Sequence, residues 1–303
     1  MKSVLKVLVF VVLISLLAAC APANGAAPQT EQTVVDGLGR EVSLPAQPQR
    51  IISLAPSNTE LLYAVGAGAQ VIGRDEFSDY PAEAQGLPSV GGSMGKFSLE
   101  QIAALQPDLV LASELNTPEL IQSLDDMGLT VYYLANPADV AGVLVNIQTV
   151  GSLTGHTDEA KALTASLQKR IDAAVASVKP GEPVKVFYEL DGASDPAKPW
   201  TVGSGTFIDE LITLAGGVNV AAAAGPGYLQ LSQEALVLAD PQVILLGDGA
   251  YGVTKESLAA RPGWEGLSAV TNDRVVTFDD NLVSRPGPRL VDGLEQIIQI
   301  LGQ

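Results

Sequence analysis

Cys20 is the only cysteine in the chain of 303 residues, and it follows Leu17-Ala18-Ala19. Lys2 and Lys6 give a basic start, and Val7 to Ala19 is an apolar run with Ser15 its one polar residue. This order matches an export signal ending in a lipobox, whose thiol takes a lipid. The run is too short to cross a bilayer as an ordinary helix, and with no second thiol no internal disulfide forms. Gly91-Gly92-Ser93-Met94-Gly95 has the G-x-S-x-G form of a hydrolase nucleophile turn. A serine of that kind needs a base, and His156 is the only histidine. The alternative is a Gly-rich loop bordering a ligand cleft. One histidine and one cysteine exclude a His-rich or Cys-rich metal site. No catalytic residue and no metal ligand is assigned. Gly66-Ala67-Gly68 follows a predicted helix and lacks a third glycine, which is the wrong context for a dinucleotide turn.

A second set of residues could bind rather than react. Phe77, Phe97, Trp200 and Tyr228 fall in predicted loops near strand or helix ends, where ligands of α/β folds sit. An aromatic ring there stacks a flat ligand at low entropic cost. Arg74, Lys96 and Arg285 are loop cations that suit an anionic ligand. Trp264 precedes an amphipathic segment and is expected in the core.

The elements that must position these residues come in two copies. SLEQIAALQPDLVLA (98–112) aligns without a gap with SQEALVLADPQVILL (232–246), and ELLYAVGA (60–67) with ELITLAGG (210–217). In the longer pair each copy has an N-capping serine, a two-turn apolar helix, a proline stop and a buried strand. Two such units imply two similar α/β lobes and a ligand cleft between them. Residues 157–178 place Ala160, Leu163, Leu167, Ile171, Ala174 and Val178 on one helical face. That helix lies between the copies, so it is the natural crossover. The expected organisation is a signal at 1–19, a flexible tether at 20–32, an N-terminal lobe at 33–155, a crossover helix at 156–180 and a C-terminal lobe at 181–303. Each lobe is read as α/β, with a mainly parallel sheet and helices on both faces.

The chain carries 17 basic and 34 acidic residues, a formal charge of −17. Loss of the signal removes only Lys2 and Lys6 and makes it more acidic. Such a surface repels nucleic acid and anionic headgroups. It suits a monomeric body held at the membrane by its lipid, on the periplasmic or outer face.

RIISLAPSNTELLYAVGAGAQVIG, FSDYPAEAQGLPSVGG and SLEQIAALQPDLVLA resemble the N-lobe of the iron-siderophore/vitamin B12 class of periplasmic-binding proteins. PWTVGSGTFIDELITLAGGVNVA, YLQLSQEALVLADPQVILL and RPGPRLVDGLEQI resemble its C-lobe. The resemblance covers residues 33–303 and implies two Rossmann-like lobes joined by one long helix, and delivery of a ligand to an ABC importer, without catalysis and without a resident cofactor. FSDYP followed by the Gly-rich loop is most similar to the cobalamin-binding branch. The resemblance implies corrin contacts from Phe77, Trp200, Tyr228 and the 91–97 loop with Ser93, Met94 and Phe97. It departs from that branch where tryptophans are replaced by Ser93-Met94 and by Ser113, so ferric siderophore or haem stays as an alternative. Arg285 would then meet an anionic chelate, and Tyr80 or Tyr228 a haem iron. Glu100 and Glu234 hold the same place in both copies. An acid in a first helical turn suits the dipole, and the resemblance implies that the pair docks on arginines of a two-fold permease.

Overall fold

A computed structural model describes residues 31–92 and 95–302. Cys20, Ser93 and Met94 lie outside the described residues, as do the signal and most of the tether.

The first element is a hairpin of β1 (Glu31–Val35) and β2 (Glu41–Pro45), turning at Gly39 in a left-handed conformation. The N-terminal lobe then runs β3 (Ile51–Ser53), α1 (Pro56–Ala64), β4 (Val71–Arg74), α2 (Leu99–Ala104), β5 (Leu109–Ala112), α3 (Pro118–Asp126) and β6 (Val131–Tyr133). Two helices follow, α4 (Val140–Thr154) and α5 (Thr157–Ala176). The C-terminal lobe runs β7 (Val184–Glu189), β8 (Trp200–Val202), α6 (Phe207–Leu214), β9 (Gly217–Asn219), β10 (Tyr228–Gln230), α7 (Gln233–Ala239), β11 (Val243–Leu246), α8 (Lys255–Ala259), α9 (Ser268–Thr271), β12 (Val275–Thr277) and α10 (Leu290–Leu301).

Each lobe holds a four-stranded, all-parallel sheet, ordered β4-β3-β5-β6 and β9-β7-β11-β12. The order is the same in both lobes. The first strand lies second from an edge, and the chain switches direction between it and the third strand. In such sheets the switch point opens a crevice at the carboxyl ends of the strands. Strands β3, β5 and β11 are fully buried, as an apolar run covered on both faces must be, and β7 is buried from Val186 onward.

The repeat persists in backbone detail. Ser98 and Ser232 cap α2 and α7 by accepting the N–H of Gln101 and Ala235, both at 3.3 Å. Gln106 and Asp240, each the residue before the stopping proline, both take a positive φ, at 48° and 47°.

Helix α5 is about 30 Å long and buries Ala160, Thr164, Leu167, Ile171 and Ala174. Arg170 on its outer side bonds Asp292 at 2.7 Å and Glu295 at 2.8 Å, tying it to α10. Helix α4 was not foreseen in the sequence. It packs closely on α5 because Gly151 faces Ala160, where a Cβ would stand 2.3 Å from that of Ala160. One apolar core runs through both lobes and this helical bridge, from Leu61, Val143 and Ile147 to Ile208, Leu211 and Leu294. Among the described residues no helix is long and apolar enough to cross a membrane.

Candidate functional site

The carboxyl ends of the strands converge on a cavity of about 970 Å³ between the lobes. Leu54, Pro56 and Ser57 follow β3, Asp75 to Phe77 follow β4, Glu114 and Leu115 follow β5, and Asn136 follows β6. From the other lobe come Leu190 after β7, Tyr228 on β10, Ala250 and Tyr251 after β11, and Asp280 to Pro286 after β12.

A buried polar chain fixes the 75–79 loop. The Asp75 carboxylate accepts the N–H of Phe77 at 2.8 Å and the hydroxyl of Ser78. Ser78 meets Thr59 at 2.7 Å, and Thr59 donates to Ser53 at 2.8 Å. This turn leaves the Phe77 ring 55 % exposed at the cavity. Asn58 ties α1 to β5 by donating to the carbonyls of Leu111 and Ala112, both at 3.1 Å. The Gly-rich loop closes on itself: Gly92 N–H donates to Lys96 O at 2.7 Å. Gly91 has φ 95°, and a Cβ there would lie 2.6 Å from that carbonyl, so only glycine fits. Phe97 packs on Gly92 and lines the cavity.

On the other lobe, β8 and β10 pair antiparallel with Tyr228 opposite Val202 and Gln230 opposite Trp200. Tyr228 reaches the cavity, whereas Trp200, two pairs further along, is 40 % exposed and is not among the lining residues. Burial pushes the Tyr228 hydroxyl up, against a hydrogen bond from Asn136 across the cleft.

Arg285 lines the cavity, yet its charge is already met. Its Nη1 donates to Glu60 at 3.1 Å and to Asp79 at 2.6 Å. Glu60 also takes Arg289, through Nε at 2.8 Å and Nη2 at 2.6 Å. The Arg289 guanidinium stacks on the Tyr80 ring at 4.1 Å, so Tyr80 belongs to this bridge between the lobes and is not a lining residue. Burial raises Asp79, but Arg285 more than offsets this and holds it below its ordinary value.

The other charged lining residues are acidic. Among the described residues, no arginine or lysine lies within ion-pair distance of Asp75, Glu76, Glu114 or Asp280. Burial pushes the carboxyls of Asp75, Glu114 and Asp280 up. Asp280 also accepts the hydroxyl of buried Tyr188. Asn136 presents a buried Oδ1 with no donor. Arg74 turns its guanidinium to the carbonyls of Ala84 and Asp75, at 3.0 and 2.8 Å, and neither it nor exposed Lys96 lines the cavity.

Leu115 and Tyr251, at 63 % and 83 % exposed, line the cavity from opposite lobes. Sequence reasoning passed over them, although both lie just after the repeated strands, where that repeat could have pointed. His156 stands at the start of α5 beside Gly66, away from the lining. The base that a hydrolase needs is therefore not at the cavity. Glu100 and Glu234 are exposed in the first turns of α2 and α7. Trp264 is buried, under the Arg261 guanidinium at 4.6 Å. Among the described residues no group of three His, Cys, Asp or Glu could hold a metal.

The model of a family described as periplasmic binding protein matches residues 51–282. An uncharacterized ABC transporter substrate-binding lipoprotein of Bacillus subtilis is 32 % identical over 273 residues, spanning 88 % of this chain and 84 % of that one. The structure of the periplasmic vitamin B12-binding protein BtuF of Vibrio cholerae is 30 % identical with a TM-score of 0.72, covering 85 % of this chain and 98 % of that one. The periplasmic heme-binding protein RhuT of Roseiflexus in apo form is 28 % identical with a TM-score of 0.75, covering 84 % and 97 %.

Proposed function

The chain belongs to the periplasmic binding protein family, whose members serve ABC transporters, and on that premise we propose that it takes a corrinoid into the cleft and hands it to a permease. The observation that carries this reading is the chemistry of the cavity wall. Apolar surface stands at Phe77, Phe97, Leu115, Tyr228 and Tyr251, and Arg285, the one lining cation among the described residues, is neutralised by Glu60 and Asp79. Ferric siderophores and haem bring anionic groups that need unpaired arginine or lysine. A corrinoid instead carries a rim of amides, which donate to carboxylates and to an acceptor such as Asn136 Oδ1.

Haem is the second reading, favoured by the likeness to RhuT. It asks for a tyrosine that ionises readily, and burial works against this at Tyr228. The protein acts as a binding protein without catalysis or resident cofactor, lipidated at Cys20 and exported. Glu100 and Glu234 dock its lobes on the permease as a pseudo-symmetric pair. Uptake of labelled corrinoid by the importer reconstituted with this protein tests the reading. Glu100→Ala with Glu234→Ala is expected to abolish uptake and to leave ligand capture intact. Normal uptake by that double variant would refute the docking role, and no uptake of corrinoid by the unaltered pair would refute the ligand.

A further inference from the structure

The cleft has an excess of acceptors and negative charge that a neutral ligand leaves unanswered. Glu60 and Asp79 balance Arg285 and Arg289, so four lining carboxyls, Asp75, Glu76, Glu114 and Asp280, remain without a cation. They come from both lobes, so their field acts on the ligand from both sides. Glu76 and Glu114 line the cavity on the N-terminal side and accept no side-chain hydrogen bond among the described residues. The buried, donorless Oδ1 of Asn136 adds a further acceptor. Apart from Arg285, which Glu60 and Asp79 already answer, a phosphodiester placed in this wall meets like charge, whereas a cation is attracted by the carboxylates.

We infer, resting on the corrinoid reading above, that the cleft selects a corrinoid without its nucleotide phosphate. In cobalamin the phosphate cancels the positive charge of the cobalt corrin, and the whole is neutral. The incomplete corrinoid, cobinamide, lacks that phosphate and is a cation. The preferred cargo is then this cation, with the apolar rim of Phe77, Leu115 and Tyr251 holding the ring and the carboxylates of Glu76, Glu114 and Asp280 answering its charge.

Calorimetry with aquocyanocobinamide and cyanocobalamin tests this on the chain freed of its lipid. Coulomb attraction at an effective dielectric of about 20, acting over a separation of about 12 Å, is worth roughly tenfold in affinity. Cobinamide is expected to bind at least about tenfold more tightly at low salt. The ratio should shrink as the screening length falls from about 30 Å at 0.01 M to about 8 Å at 0.15 M. The double variant Glu76→Gln with Glu114→Gln should bring the two affinities together. Cobalamin binding as tightly as cobinamide, or a ratio indifferent to salt, would overturn the inference alone. Failure of both corrinoids to bind would overturn the corrinoid reading with it.

Discussion

Glu60 and Glu210 open the two copies of the shorter repeat, and each reaches across to the opposite lobe. Glu60, on α1, receives Arg285 and Arg289 from the C-terminal lobe. Glu210, on α6, receives the N–H of Val140 at 2.6 Å, at the start of α4 in the N-terminal half. The two contacts differ in kind. Glu60 is a buried charge facing two guanidinium groups, whereas Glu210 is half-buried and accepts one backbone donor.

Removal of the two carboxylates should therefore have unequal effects. Glu60→Ala strands Arg289, leaves Arg285 to Asp79 alone, and should lower stability by about 3–5 kcal/mol. Glu210→Ala should cost about 1 kcal/mol, the worth of one ordinary hydrogen bond. Denaturant unfolding of both variants measures this, and equal losses would contradict the reading of Glu60 as the main latch.

Much of this arrangement was legible in the sequence, and the division has a physical basis. Local signals carried well: the capping serines 98 and 232, the stopping prolines and the helical face of 157–178 all act within a few residues. Helix α4 escaped because it is apolar on most sides and holds Gly142 and Gly151, which local propensity counts against a helix. Its packing against Ala160 makes Gly151 necessary, and that is a tertiary fact. Tyr228 and Trp200 were indistinguishable as loop aromatics until the β8–β10 register placed one at the cavity and the other beyond it. Arg285 looked like a free cation because its partner Glu60 lies 225 positions away in the chain.

Leu115 and Tyr251 should matter to the ligand and little to the fold. Each is mostly exposed, so Leu115→Ala or Tyr251→Ala should change stability by less than about 0.5 kcal/mol. Each should weaken ligand binding by about 1–3 kcal/mol if its side chain is covered in the complex. Trp200→Ala should weaken binding less than Tyr228→Ala. Calorimetry of the four variants reads the order, and a larger loss at Trp200 would place the ligand on β8 instead.

Acid should stabilise this protein over part of its range. Burial raises Asp75, Glu114, Glu189, Asp248 and Asp280 above their ordinary values. A carboxyl raised in this way holds its proton more tightly in the folded chain than in the unfolded one. Its contribution is present at acid pH and is lost as pH rises through the raised value. Asp36, Asp79 and Asp240 are lowered and act oppositely, losing their contribution as pH falls through their depressed values. Stability should peak near the ordinary carboxylate range, where the lowered groups have their full contribution and the raised ones have not yet lost theirs, and decline as pH rises through the raised values. Glu114→Gln should flatten that decline, and thermal melts across pH would show an unchanged slope if Glu114 takes no part.

One core runs through both lobes and the α4–α5 bridge, so closure on ligand should be small. Bending α5 would break its hydrogen-bond ladder. Small-angle scattering with and without cyanocobalamin should give nearly the same radius of gyration, and a large compaction would contradict a rigid bridge.

The claim that the cleft holds a corrinoid is tested most directly by visible absorption. Titration of the lipid-free chain with aquocyanocobinamide, haemin and a ferric siderophore in parallel follows each chromophore. The account predicts saturable one-to-one binding of the corrinoid at about micromolar affinity or tighter, with no saturable change for the two iron ligands. Saturable binding of haemin or the siderophore, with the corrinoid spectrum unmoved, would contradict it.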